Sequence, residues 1–310
     1  MKVSFLVVVF FLHHFGANAQ NKTIAERLGY DSNAKLLIIH ADDLGVSHSE
    51  NMASIKGLEK TPVNSASIMV PCPWFPEIAK YARENQTADL GLHLTLNSEW
   101  IYYKWGPVTA QDSVSTLINE NGYFYPQIQD VVQNAKPEHV ALELRNQIKK
   151  AYKFGIDVTH LDAHMGTAGS TLEFLEAYIK LGKEFELPVL LDKNMAFLKN
   201  EKIQVLLDDT VVINDHIFTA GPADYDSGMA NYYTKVLQNL EPGLNSILIH
   251  LAYDDAEMKA MTVEHDYWHS PWRQADVDFF SSPECATLLK ENNITLVTWR
   301  ELRDKIVRNN

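Results

Sequence analysis

The chain has 310 residues, 46% of them hydrophobic, and carries 40 acidic against 27 basic side chains for a formal net charge of −13. So acidic a chain makes no electrostatic case for nucleic acid or for an anionic membrane surface, both of which are bound through basic patches. Its apolar content suffices for one sizeable core. Its two cysteines, Cys72 and Cys285, are too few for a Cys-x-x-Cys zinc site and read either as one disulfide or, by slight preference, as unrelated thiols.

Residues 1–19 have the three parts of a secretory signal peptide: basic Lys2, the apolar run "VSFLVVVFFL", and small residues Ala17 and Ala19 ahead of Gln20. The run is shorter than the ~20 residues of a spanning helix. An exported, periplasmic or secreted protein is therefore expected, with residues 20–310 as one domain and no stable membrane insertion after cleavage.

Strand and helix signals then alternate. "AKLLIIHA" reads as a β-run, 49–60 as a helix capped by Ser49, "SASIMV" as a strand and 76–85 as a helix. In "ADLGLHLTL", Leu90, Leu92, Leu94 and Leu96 share one face and His93 and Thr95 the other. From 97 to about 135 no period fits. That stretch is dense in aromatics, including Trp100, Tyr102, Tyr103, Trp105, Tyr123 and Tyr125, and long aromatic loops in compact domains are usually functional. Pro137 opens a helix, followed by strands at 158–164, 188–192, 210–215, 245–252 and 294–299. Helices are expected between them at 171–186, 228–240 and, for the most part, 273–293. This alternation predicts a parallel sheet, and at this length a closed or nearly closed (β/α) barrel, TIM-like, distorted, in a single domain. No Gly-rich fingerprint follows the first strand, which disfavours a dinucleotide fold.

Chemistry-bearing residues fall at the C-terminal ends of these strands. Asp42 and Asp43 end the first, His93 lies near the end of the third, His160, Asp162 and His164 lie on the fourth, and His250 ends "LIHLA". In a parallel barrel such ends converge on one face, where active sites sit. One aspartate with two histidines suits a divalent ion while leaving coordination positions open.

"ADDLG", "GLHLTL", "THLDAH" and "LIHLA", in this order, resemble the YdjC-like (ChbG-type) carbohydrate deacetylases, relatives of the NodB-type polysaccharide deacetylases. The similarity spans about 36 to 305 and includes the ending "SSPECATLLKENNITLVTWREL". The resemblance implies a (β/α) barrel with one divalent metal ion, zinc or magnesium, removing acetyl groups from N-acetylated amino sugars or oligosaccharides. It implies Asp43, His93 and His164 as metal ligands, Asp42 as general base and His250 as general acid. It gives His160 and Asp162 no ligand role, and they are expected to support the ligands together with Asp192. Trp100, Tyr103, Trp105 and Trp268 are candidates for stacking on sugar faces.

Two departures stand out. After His164 the chain continues Met165-Gly166 where many such proteins have further histidines. Leu190 stands two residues before Asp192, where many have an arginine, so another group must orient the base if that arginine does so elsewhere. The alternatives are an O-acetyl esterase or other metallo-amidase on the same barrel, and a non-catalytic glycan-binding relative. Oligomeric state is not readable from the sequence.

Overall fold

The computed structural model describes residues 22–309, so the signal peptide expected at 1–19 lies outside the described residues. Among the described residues, seven strands form one wholly parallel sheet: β1 (Lys35–Leu44), β2 (Ser65–Ile68), β3 (Leu90–Leu94), β4 (Leu161–Ala163), β5 (His216–Thr219), β6 (Gly243–Ile249) and β7 (Ile294–Leu296). The order is β4-β3-β2-β1-β6-β5, with β7 paired to the first residues of β1. Beyond β4 the sheet continues through isolated parallel bridges, Leu161 with Val189 and Asp192 with Asn214. The sheet thus curls into a distorted TIM-like barrel, a single α/β domain, as the alternation predicts.

Central β1 is covered on both faces, as parallel strands between helices are, and Leu36–Leu44 are all buried. Successive residues point to opposite sides. Leu37, Ile39 and Ala41 join the main core. Leu36 and Ile38 join a second cluster with Leu244, Trp299 and Leu302 that plugs the base of the barrel. On that same face, next along the strand, come His40 and then Asp42. The interior is therefore apolar at its base and becomes steadily more polar toward the strand C-termini.

Several boundaries differ from the sequence reading. The runs at 188–192 and 210–215 form only bridges and not strands. Asp192 Oδ1 accepts from the Asn194 N–H and turns the chain, and Asp208 Oδ1 binds both the N–H and the hydroxyl of Thr210. Regular pairing with β6 starts only at His216. The helix after β1 is capped by Ser47, whose hydroxyl accepts from Glu50 N–H, and not by Ser49. The expected helix at 273–293 is two, Ser270–Phe280 and Pro283–Glu291, the second started by the Ser282 hydroxyl and Pro283. Within 97–135 lie an antiparallel bridge between Ile118 and Phe124 and a short helix, Ile128–Asn134. Cys72 and Cys285 are both buried and both free.

Candidate active site

Two adjacent aspartates at the end of a buried strand are reconciled by a bulge. β1 runs in register with β2 from His40 opposite Ser65 to Ala41 opposite Ala66, then shifts so that Leu44 faces Ile68. Asp43 sits in the shift with φ +69°, a region that non-glycine residues rarely occupy and that costs on the order of 1–3 kcal/mol. The bulge lets neighbouring carboxylates point differently. Asp42 stays on the interior face with His40, and Asp43 turns toward His93 of β3 and His164, the residue after β4.

Asp43 Oδ1 lies 3.4 Å from His93 Nε2 and 3.4 Å from His164 Nδ1. It is buried and, among the described residues, has no hydrogen-bond partner. The second donor atom of every member is already engaged. His93 Nδ1 donates to Asp162 Oδ1 at 2.8 Å, His164 Nε2 to Glu99 Oε2 at 2.9 Å, and Asp43 Oδ2 accepts from Arg273 Nη2 at 2.8 Å. Carboxylate partners of this kind fix the tautomer and direction of ligating imidazoles. After Met165 and Gly166, both at positive φ, the chain turns sharply away from His164.

Among the described residues, three donor sets lie close enough to hold an ion: Asp43, His93 and His164; His40, His160 and Asp162; Asp42, His93 and Asp162. In the latter two, the Asp162 oxygens are taken, Oδ2 by His40 at 2.8 Å and Ser67 at 2.7 Å, and Oδ1 by His93. Only the first set has an orphaned buried carboxylate oxygen facing two imidazole nitrogens. One oxygen and two nitrogens suit a divalent ion, and zinc better than magnesium, which prefers oxygen.

Asp42 Oδ1 is 3.1 Å from His40 Nε2, and Asp42 Oδ2 is 3.9 Å from His250 Nε2. Burial opposes charge on His40, but hydrogen bonds to Asp162 and Asp42 outweigh it and raise its pKa to about 10. His40 thus presents a cation to Asp42. Burial likewise disfavours charge on His164, but Glu99 and Asp43 raise it to about 10. Burial pushes His250 below its usual value. The His250 backbone N–H donates to Asp276 Oδ2 at 2.9 Å, and the Tyr233 hydroxyl donates to Asp276 Oδ1 at 2.6 Å. Burial outweighs those bonds and pushes the Asp276 carboxyl up to about 7.

Arg273 spans two carboxylates, with Nη1 on Glu50 Oε2 at 2.7 Å and Nη2 on Asp43. Burial would raise both acids. The guanidinium, followed by His164 and His250, holds Asp43 well below the usual carboxylate range, whereas burial prevails at Glu50 and pushes it up.

The structure brings Asp42, Asp43, His93, Asp162, His164 and His250 together. Other expectations need correction. His160 supports no ligand directly. Its ring stacks on Trp299 at 5.1 Å, Nδ1 meets the Thr159 hydroxyl, and Nε2 has no partner among the described residues. Asp192 closes its own turn, and among the described residues its side chain bonds to no member of the cluster. Trp100 and Trp105 are 2% and 3% exposed, packed edge to face on each other, and show no face to a sugar. Tyr103 is half-buried with its hydroxyl on Val46 O, whereas Trp268 is 38% and Tyr102 75% exposed. Sequence reasoning missed His40, Glu50, Glu99, Arg273 and Asp276. His40 carried a signal, since it lies two residues before Asp42 on the same strand face. Arg273 carried one too, being a lone cation among Trp272, Val277 and Phe280 on a buried helix face.

Fold and site together define an α/β barrel with a carboxylate–imidazole centre at its C-terminal mouth. The model of the YdjC-like protein family matches residues 36–291, and the chain belongs to that family. It is 30% identical over 288 residues to a carbohydrate deacetylase of Thermus thermophilus, covering 91% of this chain and 99% of the relative. It is 27% identical over 270 residues to a carbohydrate deacetylase of Thermoanaerobacter pseudethanolicus, covering 87% and 100%. Among solved structures, it resembles a cellobiose-phosphate cleavage protein of Enterococcus faecalis V583 in fold, with a TM-score of 0.72 at 22% identity, over 87% of this chain and 99% of that one.

Proposed function

We propose that the protein is a metal-dependent carbohydrate deacetylase that hydrolyses the N-acetyl group of amino sugars or their oligosaccharides. The observation that carries this reading is the buried, unpartnered Asp43 Oδ1 facing His93 Nε2 and His164 Nδ1, with a second carboxylate next to it. The names borne by the full-length relatives point the same way.

A divalent ion held by Asp43, His93 and His164 would polarise the amide carbonyl and acidify water. Asp42 takes the proton from the attacking water, its carboxylate aimed by His40. His250 Nε2 lies 3.9 Å from Asp42 Oδ2, so the two side chains border the same point of the site, and a substrate beside them comes within reach of both. His250 delivers a proton to the departing nitrogen as the C–N bond breaks, giving acetate and a free amine. A ring whose proton affinity is depressed is a stronger acid once charged, which suits that step. Trp268, with Tyr102 and Tyr103, supplies aromatic surface for sugar rings. The apolar run at 3–12 supports export, so that glycans are met outside the cytoplasm, and fractionation of tagged protein tests that point.

The test is acetate release from N-acetylated chito-oligosaccharides by metal-depleted protein with zinc or magnesium restored, alongside Asp42→Asn. Turnover that needs metal and drops by about 100-fold or more in Asp42→Asn, with metal still bound, is expected. No release from N-acetylated glycans together with release from O-acetylated ones would replace this reading with an esterase.

A further inference from the structure

Beyond the donor triad itself, we infer that Arg273 is a positioning residue that restricts Asp43 to a single metal-facing oxygen. The inference rests on the metal-centre reading above. Every N–H direction of the guanidinium that matters here is fixed. Nη2 donates to Asp43 Oδ2 at 2.8 Å, Nη1 to Glu50 Oε2 at 2.7 Å, and Nε to the Trp268 carbonyl at 3.0 Å. The group also lies over the Trp100 ring, 5.5 Å from its centroid. Arg273, Asp43 and Glu50 are all buried. A planar fork tied at three points cannot turn, so Oδ2 stays committed.

The consequence is chemical. A free carboxylate can chelate through both oxygens. With Oδ2 held, Asp43 offers only Oδ1, the atom between the two imidazoles. A one-oxygen, two-nitrogen set leaves more of the coordination sphere for water and an acyl oxygen than a chelating carboxylate would. The bond to Trp268 also ties the metal ligand to the rim of the site. Trp268 sits at φ +53°, and its carbonyl bond to Arg273 helps hold that backbone.

Lysine in place of Arg273 keeps the charge and loses the fork. The experiment loads purified metal-free protein with zinc, measures affinity by competition with a chelator, and records the visible spectrum of the cobalt(II) form. Arg273→Lys is expected to bind zinc about 10–100-fold more weakly and to show weaker cobalt bands, because a chelating Asp43 raises the coordination number. Wild-type affinity in a folded Arg273→Lys protein would overturn the inference. So would weaker binding with an unchanged cobalt spectrum, which general loosening produces. If the lysine variant does not fold, Arg273→Met with Glu50→Gln removes the Arg273 and Glu50 charges together, leaves Asp43 in place and carries the same expectations. Wild-type protein that takes up neither ion removes the metal reading and this inference at once. Wild-type binding with no difference in the variants removes only the inference.

Discussion

Two edge-to-face imidazole pairs sit one above the other inside the barrel. His40 and His160 are 4.8 Å apart between ring centroids, and His93 and His164 are 5.2 Å apart nearer the mouth. Both pairs are buried among strand ends and both have an aspartate at hand. In the inner pair, His40 is closed in by the hydroxyls of Ser65 and Ser67 and by Asp162, and His160 lies flat on Trp299. Among the described residues His160 Nε2 has no partner, and Asp162 beside it already has both oxygens engaged, by His40 and Ser67 and by His93. In the outer pair each ring is tied at one nitrogen only, and both remaining nitrogens face the open oxygen of Asp43. Burial and histidine content therefore do not distinguish a structural cluster from a metal centre. The distinction lies in which oxygen is left unsatisfied, because a buried polar atom without a partner needs an explanation. Asp162 joins the layers, with Oδ2 on His40 below and Oδ1 on His93 above.

Asp162→Asn should therefore have the largest effect, because it strikes both layers. Whichever way the amide lies, its NH2 meets an imidazole nitrogen that now donates. Facing His93, it demands the tautomer that protonates the ligand nitrogen. Facing His40, it ends the cation that steadies Asp42. Denaturant unfolding should show a loss of about 3–5 kcal/mol, and zinc affinity should fall by about 10–100-fold. A pH signature accompanies this. His40 is raised from 6.5 to about 10 in the fold, so between those values the folded chain keeps a proton that the unfolded chain has lost. That contribution to stability is complete below 6.5 and disappears as pH rises toward 10. Asp162→Asn should flatten that decline. Loss of metal affinity with unchanged stability would mean that the two layers are not joined through this carboxylate.

Gly91→Ala separates the layers from the other side. A Cβ on Gly91 would lie 2.3 Å from His160 Cε1, and a ring held against Trp299 cannot retreat. Overpacking of this kind costs about 1–3 kcal/mol, and the upper end is expected. Because the clash falls on the inner pair, a calorimetric titration of the folded variant should give near wild-type zinc affinity. A large fall in affinity would show that the inner layer positions the outer one.

Much of the comparison was visible in the sequence, and the rest was hidden for definite reasons. The β/α alternation, the aspartate pair and the histidines His93 and His164 follow from local pattern, because strand ends of a parallel barrel converge wherever the helices between them go. The outer supports do not. Glu99 comes from the long aperiodic segment after β3, and Arg273 and Glu50 come from helices more than two hundred positions apart. No periodicity states that these three meet. The edges of the barrel at 188–192 and 210–215 have apolar composition suited to strands, but side-chain turns at Asp192 and Asp208 override it. Aromatic density located the loop after β3 but not its exposed faces, so Trp100 and Trp105 belong to packing and Trp268 and Tyr102 to the surface.

The smallest effect, and the finest test of the outer layer, is Glu99→Gln. Glutamine keeps an oxygen that accepts from His164 Nε2, so the ring direction is largely preserved. What it removes is a charge. In the metal-free protein Glu99 acts first, and Asp43 with it, to hold the His164 pKa near 10 against the cost of burial. At neutral pH an incoming ion must therefore displace a proton from Nδ1, since only the neutral imidazole binds metal. Removing the Glu99 charge lowers that pKa and weakens the competition, while it also weakens the support that a carboxylate gives a ligand. The two effects oppose each other. Zinc affinity at neutral pH should stay within about tenfold of wild type, but its rise with increasing pH should be shallower. Titrations against a competing chelator from neutral to mildly alkaline pH read both quantities. An unchanged slope would mean that the Glu99 charge does not set the proton that competes with the ion for His164 Nδ1, and Glu99 would then act on the outer layer only by directing the ring.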